Sequence, residues 1–433
     1  MKLYMVSLGC AKNQVDSEMI LGVCKRSMEI VATPDEADVI IVNTCAFIEP
    51  ARKEAIETIL DLSDYKKDGK KLIVCGCLPQ RYKEEIINLL PEVDRFVRID
   101  EYKDLPNIIN SVINSSFDLN EYDFNNRIYS TPDYMRYVKI SEGCMNHCAF
   151  CAIPLIRGRL KSRTIESIKE EVLMHVKGGV YEINLISQDT TKYGFDIYNK
   201  LMIVELLKEL VSIEGDFRIR LLYLYPDIVT DELIEFIKNN PKVMPYFDIP
   251  IQHSEDKLLK KMYRRGNREY LLNLFDKIKA SIPHAILRTT LIVGFPYEEE
   301  EDIDSLIEFI KEVKFDRLGA FTFSLEEGTK AVEYPNDIPE DVKQRRYERV
   351  MEAQQEIILA KNKVLIGSVI DDAFIIGYDE ESFMYVARSY AYAPDEIDGC
   401  IFVAARYELN LGQRVKVKIL DCDEYSLTGE QVE

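Results

Sequence analysis

Three cysteines within eight residues, Cys144, Cys148 and Cys151 in the pattern CxxxCxxC, carry the clearest chemistry in this chain. Their unequal spacing lets the thiols converge on one inorganic centre if the segment is a loop rather than a helix or strand. A 4Fe-4S cluster that only carries electrons takes four thiolates, so three leave one iron open. An open metal position is where chemistry occurs, by the logic that separates catalytic from structural zinc. A structural zinc knuckle is the alternative. It needs a fourth ligand, and His147, the nearby candidate, sits between two cysteines where it would strain a shared tetrahedron.

A second trio emerges from the elements that must position it. Lys2 to Gly9, Asp38 to Thr44 and Lys71 to Gly76 are short runs rich in Val, Ile and Leu, each followed by helical spacing such as Val15 to Met28 or Pro50 to Leu62. This alternation predicts a parallel sheet flanked by helices, whose ligands collect beyond the carboxyl ends of the strands. Cys10, Cys45 and Cys77 each follow one of these strands and are expected along one sheet edge, as ligands of a second cluster. The competing reading is that strand ends simply tolerate cysteine. Cys75, two residues before Cys77, is an alternative ligand placed on the same strand face; Cys77, which begins the loop, is preferred.

The chain has 433 residues, 47% of them apolar, enough for two or three domains with full cores. Acidic side chains outnumber basic ones by 75 to 55, for a net charge of −20, which argues against a general phosphate-binding surface and favours a basic partner. No apolar run approaches a membrane helix and no signal-peptide pattern is present, so a cytoplasmic location is expected. Ten cysteines in such a compartment point to metal or redox use rather than disulfides. Cys24, Cys400 and Cys422 lie in helix-like or strand-like runs and are assigned to packing.

Residues 1–115 thus form an expected N-terminal domain, and the Asn-, Ser-, Asp- and Tyr-rich residues 116–134 a polar linker. From residue 135 to 364 six strand candidates alternate with helices: Tyr137 to Ile140, Glu182 to Ser187, Arg218 to Leu224, Tyr246 to Ile249, Ile286 to Val293 and Arg317 to Phe323. Six βα units predict an open (βα)6 partial barrel, with a long charged helix from Pro339 to about Val364 trailing it. The Cys144 loop follows the first strand, at the carboxyl edge where barrel sites lie. Gln188 and Asp189, Tyr225, Gln252 and His253, and Gly294-Phe-Pro296 follow later strands and are further candidates. Arg288 faces a sheet interior and needs a carboxylate, from a ligand or from a neighbouring acid. His253 is read equally as a hydrogen-bonded wall residue or a proton donor, and Gly178-Gly179 as a helix C-cap. Residues 366–433 hold short β-rich runs (Val369 to Ile376, Met384 to Arg388, Cys400 to Ala404, Val415 to Leu420), as in a small β-barrel. Their 14 acidic and 5 basic side chains repel a phosphate backbone and attract a basic protein.

These motifs resemble a known family. Cys144-Met-Asn-His-Cys148-Ala-Phe150-Cys151 is similar to the cluster loop of the radical SAM superfamily. Val6 to Asn13, Val42 to Cys45 and Gly76 to Tyr82 resemble the N-terminal domain of its methylthiotransferase family, and residues 366–433 resemble a TRAM domain. Gln188 to Gly194, Leu221 to Pro226, Phe323 to Thr329, Ala393 to Gly399 and Tyr425 to Gly429 resemble the RimO type, which acts on an aspartate of small-subunit ribosomal protein twelve. The resemblance implies an auxiliary 4Fe-4S cluster on Cys10, Cys45 and Cys77 and a second on Cys144, Cys148 and Cys151 whose open iron chelates S-adenosylmethionine. Phe150 is implied to pack on the adenine, and Gln188, Arg288 and Gly294 are further cofactor contacts. Where the family has Gly-Phe-Pro-Gly-Glu, this chain has Tyr297 for the second glycine. The implied reaction methylates a sulfur on the auxiliary cluster from one S-adenosylmethionine; a radical from a second removes hydrogen from the aspartate β-carbon, which then takes up the methylthio group. A flavodoxin- or ferredoxin-like reducing partner is implied, with neither tRNA nor membrane as partner. A tRNA adenosine methylthiotransferase and a non-catalytic metal-binding scaffold are the alternative functions.

Overall fold

Runs of Val, Ile and Leu whose side chains are covered on both faces read as parallel strands, because crossover helices must shield each side. A computed structural model describes residues 1–66, 69–335, 338–395 and 397–432, with the side chain of Glu84 also outside the description. Its first sheet contains β1 (Lys2–Ser7), β2 (Glu29–Ile30), β3 (Val39–Thr44), β4 (Lys71–Gly76) and β5 (Arg95–Arg98), all parallel, in the order β2-β1-β3-β4-β5. The helix α1 (Ala11–Cys24) covers one face, burying Ile20, Val23 and Cys24 with Cys75; α2 (Glu49–Ser63) and α3 (Cys77–Tyr82) cover the other, where Ile59 and Leu78 meet Ile40, Val42 and Val74. Each such apolar side chain removed from water contributes about 1.5–3 kcal/mol.

Residues 116–134 are irregular, yet their polar side chains are used: Arg127 is buried against Glu18 of α1 and against Glu171 at 2.7 Å, and Tyr122 donates to Asp16 at 3.1 Å. The segment straps the first sheet to the central domain.

The central strands are β6 (Met135–Lys139), β7 (Glu182–Ile186), β8 (Arg218–Leu221), β9 (Tyr246–Asp248), β10 (Ile286–Val293) and β11 (Arg317–Thr322). They form two three-stranded parallel sheets, β8-β7-β6 and β9-β10-β11. A parallel bridge between Ile219 and Val243, and a hydrogen bond from Leu224 N to Asp248 O at 2.8 Å, join the halves into the expected open barrel. Gly178 caps the helix α4 (Ile165–Lys177) that precedes β7. The long helix α5 (Glu340–Leu365) leads to a closed barrel of β12 (Val369–Asp379), β13 (Met384–Arg388), β14 (Ile401–Ala404), β15 (Arg414–Cys422) and β16 (Leu427–Val432), in the order β12-β13-β14-β16-β15. Five strands are additions to those expected from the sequence: β2, β5, β16 and the two-residue antiparallel pair Ser141–Glu142 and Lys161–Ser162. β2 is two residues long, and β16 puts Gly429 and Gln431 on the same buried face as Leu427, so it shows no apolar alternation. No helix among the described residues is long and apolar enough to cross a membrane.

Candidate active site

The first sheet docks with its carboxyl edge against the carboxyl edge of the central barrel, through side chains more than 100 residues apart in sequence. Glu326, nearly fully buried, accepts from Arg52 and from Arg81 at 2.8 Å, and its Oε1 accepts from Glu49 N at 3.0 Å. Asp16 of α1 pairs with Lys139 and, at 2.7 Å, with Arg157. This contact encloses a cavity of about 460 Å³ lined by all six predicted cysteines: Cys10, Cys45 and Cys77 from one side, Cys144, Cys148 and Cys151 from the other.

On the first side, Asn13 ties two of the cysteine loops together. Its Nδ2 donates to Leu8 O and Thr44 O, both at 3.0 Å, which fixes the turns leading to Cys10 and Cys45. Cys77 Sγ lies 3.6 Å from Asn13 Oδ1 and 3.5 Å from Arg157 Nη2. Burial works against the Cys10 thiolate, but Lys12 and Arg157 outweigh it and lower the thiol below its usual value. Burial pushes Cys45 up to about 12 and raises Cys77 as well. Cys75 does not share the Cys77 face. β4 ends at Gly76, whose φ of +97° breaks the two-residue alternation, so Cys75 is buried beside Tyr102 on the α1 face while Cys77 opens α3 at the cavity.

The opposite trio lies on an irregular loop, as its spacing required. Ala149 bridges this loop to distant segments: its N–H donates to Met262 O at 3.0 Å and its carbonyl accepts from Ala331 N at 2.8 Å. Asn146 N reaches Cys144 Sγ at 3.4 Å, and Asn146 Nδ2 donates to Asp189 at 2.6 Å. Cys148 Sγ stands 3.6 Å from both Tyr225 Oη and Arg264 Nη1. Burial pushes the Cys144 thiol up to about 11 and raises Cys151.

The remaining candidates divide. Phe150 and Gln188 line the cavity; Phe150 meets Phe295 edge-on at 6.4 Å. Gln188 Nε2 donates to Glu142 at 3.1 Å, while its Oε1 is buried without a hydrogen-bond partner among the described residues. Tyr225 and Gln252 also line the cavity. Arg288 lines it too and takes the neighbouring-acid option, pairing with Asp248 at 2.9 Å and with Asp398 of the last domain at 3.4 Å. His253 is a wall residue: fully buried, its Nδ1 accepts from Ser254 N and Glu255 N at 3.0 Å, and it does not line the cavity. His147 is exposed and outside the lining. Gly294 differs from expectation. Its N–H donates to Glu298 at 2.8 Å, a Cβ there would lie 2.3 Å from Lys343 Cγ, and it is outside the lining, so its close approach serves the packing of α5. Tyr297, where the family carries glycine, holds a φ of +72° and meets Tyr334 at 5.6 Å.

Sequence reasoning missed Lys12, Asn13, Tyr223, Arg157 and Arg264, all in the lining, and the loop Ala393, Pro394, Asp395 and Ile397 by which the last domain roofs the cavity. Glu396, within the motif Ala393 to Gly399, lies outside the described residues. Lys12 Nζ sits 3.4 Å from the centre of the Tyr223 ring, a cation–π contact. The donor set suits an iron-sulfur cluster on each side. No three His, Cys, Asp or Glu among the described residues could hold a single metal ion. Thiolates on one zinc, each about 2.3 Å from it, would lie within about 5 Å of one another. A cluster would spread its ligands over separate irons, and the buried Gln188 Oε1, without a partner among the described residues, leaves an acceptor for a donor group of a bound ligand.

Three family models match the chain: the uncharacterized protein family UPF0004 over residues 2–98, the radical SAM superfamily over 138–310 and the TRAM domain over 366–432. Among solved structures, the radical S-adenosylmethionine methyltransferase TsrM from Kitasatospora setae, which contains cobalamin and a 4Fe-4S cluster, is similar in fold. The TM-score is 0.55 at 12% identity, covering 76% of each chain. The S-adenosylmethionine radical enzyme OxsB gives 0.52 at 12% identity, over 82% of this chain and 56% of its own. Relatives are far nearer in sequence. The ribosomal protein uS12 methylthiotransferase RimO of Acetivibrio thermocellus is 44% identical over 100% of this chain and 98% of its own length. Those of Geobacter sulfurreducens and Aquifex aeolicus are each 46% identical, over 99% and 100% of this chain and 98% of their own. Identity at this level along the whole length, with two cysteine trios facing one cavity, means that the chain belongs to the RimO family of ribosomal protein uS12 methylthiotransferases.

Proposed function

We propose that this chain places a methylthio group on the β-carbon of an aspartate in small-subunit ribosomal protein uS12. The observation that carries the reading is the single cavity lined by six cysteines from two domains and roofed by a third. As a member of its family the chain takes S-adenosylmethionine and two 4Fe-4S clusters as cofactors. Cys10, Cys45 and Cys77 would hold the auxiliary cluster, and Cys144, Cys148 and Cys151 the cluster that binds S-adenosylmethionine. When bound, these groups supply a radical able to break a C–H bond beyond the reach of any side-chain base, together with the sulfur to be transferred.

The chain's own residues supply placement. Phe150 offers an aromatic wall to the S-adenosylmethionine side, and Gln188 Oε1 a buried acceptor. Leu222 and Leu224, both buried, and the more exposed Phe321 and Ile397 give the cavity apolar walls, as suits a reactive intermediate that must be kept from water. Domain limits of 1–115, 135–364 and 366–433, joined by 116–134, are part of the proposal; family-model matches over 2–98, 138–310 and 366–432, one inside each, support it. The acidic last domain supports a basic ribosomal protein as partner and speaks against tRNA as substrate. A flavodoxin- or ferredoxin-like donor and a cytoplasmic setting complete the reading.

The test is anaerobic reconstitution with iron and sulfide, then incubation with S-adenosylmethionine, a reductant and either purified uS12 or bulk tRNA. Mass spectrometry should find one methylthio group on one uS12 aspartate. Modification of tRNA adenosine, with uS12 untouched, would overturn the substrate; failure to cleave S-adenosylmethionine would leave only a metal-binding scaffold.

A further inference from the structure

Arg157 belongs to the central domain, six residues after Cys151, yet its guanidinium ends at the other trio. Nη2 lies 3.5 Å from Cys77 Sγ and donates to Asn13 Oδ1; Nη1 donates to Asp16 at 2.7 Å and Glu142 at 3.1 Å. The side chain is almost wholly buried and lines the cavity. Burying a guanidinium is unfavourable unless its donors are paired. Asp16 and Glu142, balanced by Lys139 and Arg157 themselves, make a locally neutral network without any contribution from sulfur. The N–H directed at Cys77 is therefore an addition that charge balance did not require. Other ion pairs joining these domains, Glu326 with Arg52 and Arg81 and Glu18 with Arg127, have no such contact with sulfur. Across the cavity, Arg264 reaches Cys148 Sγ in the same manner.

We infer that Arg157 is a positioning residue that sets the electron affinity of the cluster held by Cys10, Cys45 and Cys77, through a charged hydrogen bond from the neighbouring domain to the Cys77 sulfur. This rests on the proposed ligand set. Hydrogen bonds to cluster sulfurs and nearby charge are principal determinants of reduction potential, and a hydrogen bond with an ionised partner is about twice as strong as one between neutral groups. The arrangement favours the more electron-rich form of the cluster, so that the sulfur-bearing site is easier to reduce than its three thiolates alone would make it. It also makes the potential of one domain's cluster depend on a residue of the other.

The test uses the full chain with Cys144, Cys148 and Cys151 all replaced by alanine, so that a single cluster remains. Redox titration monitored by electron paramagnetic resonance gives its potential in this parent and with R157M or R157K added. Loss of one charged hydrogen bond predicts about a tenfold fall in the reduction equilibrium for R157M, ~59 mV for one electron, with R157K between R157M and the parent. Equal potentials in parent and R157M would overturn the inference. If R157M fails to hold iron, R157K decides: a lowered potential supports the role, and an unchanged one assigns Arg157 to the fold alone. A parent that holds no cluster would refute the ligand set itself, a separate result.

Discussion

Asp398 of the last domain and Arg288 of the central barrel meet at 3.4 Å at the cavity roof, and the same carboxylate accepts from Tyr246 Oη at 3.0 Å and Ala393 N at 3.1 Å. One nearly buried acid therefore seats the loop that closes the site. Asp398→Ala leaves these donors without their acceptor, about 1–3 kcal/mol of lost stability. It is expected to raise KM for uS12 while deoxyadenosine formation without the protein substrate stays near normal. Unchanged KM would show that the roof plays no part in holding the substrate.

The two trios are separable. Cys148→Ala should abolish reductive cleavage of S-adenosylmethionine and leave about four irons per chain on the N-terminal trio, measured by deoxyadenosine yield and iron content. Cys77→Ala should do the reverse, keeping cleavage and losing methylthio transfer. Cys75→Ala, behind the sheet, should leave both clusters in place; iron loss in that variant would move the ligand to position 75.

Acid should weaken the strap between the first sheet and the barrel. Burial would raise the carboxyl of Glu171, but the charges of Arg163 and Arg127, both paired with it, outweigh that and hold it to about 2. A carboxyl depressed in the folded state stabilises fully above its unfolded value, near 4.3, and that stability is lost as pH falls from there through about 2. Urea denaturation should show Glu171→Gln less stable than the wild type by about 3–5 kcal/mol at neutral pH, since it leaves two arginines underpaired, with the gap narrowing at pH 3. A gap independent of pH would count against this linkage.

Attraction between the acidic last domain and a basic protein is long-range and screened by salt. Replacing exposed Glu380, Glu381 and Glu424 with lysine should slow association with uS12, flatten its salt dependence and strengthen binding to bulk tRNA. Equal association rates at low salt for both proteins would remove charge from the account of partner choice.

The cysteines, their spacing and their place after strands were legible in the sequence because each depends on neighbours within a few residues: the two-residue strand period, the helix after each strand, and the loop that CxxxCxxC demands. The six central strands and four of the last barrel's five were readable for the same reason, while Glu29–Ile30 and Leu427–Val432 were too short or too mixed in polarity to stand out. That both trios meet across one cleft was expected from the sequence and its family resemblance and is what the cavity shows; tertiary structure alone decided that Cys75 turns away behind Gly76, that Gly294 packs on Lys343, and that Arg157, Asn13 and Asp398 serve groups far along the chain. Arg157 and Cys77 are 80 residues apart and on different domains. No local pattern encodes such a meeting, which exists only once two cores have folded and their buried charges have found partners across the interface.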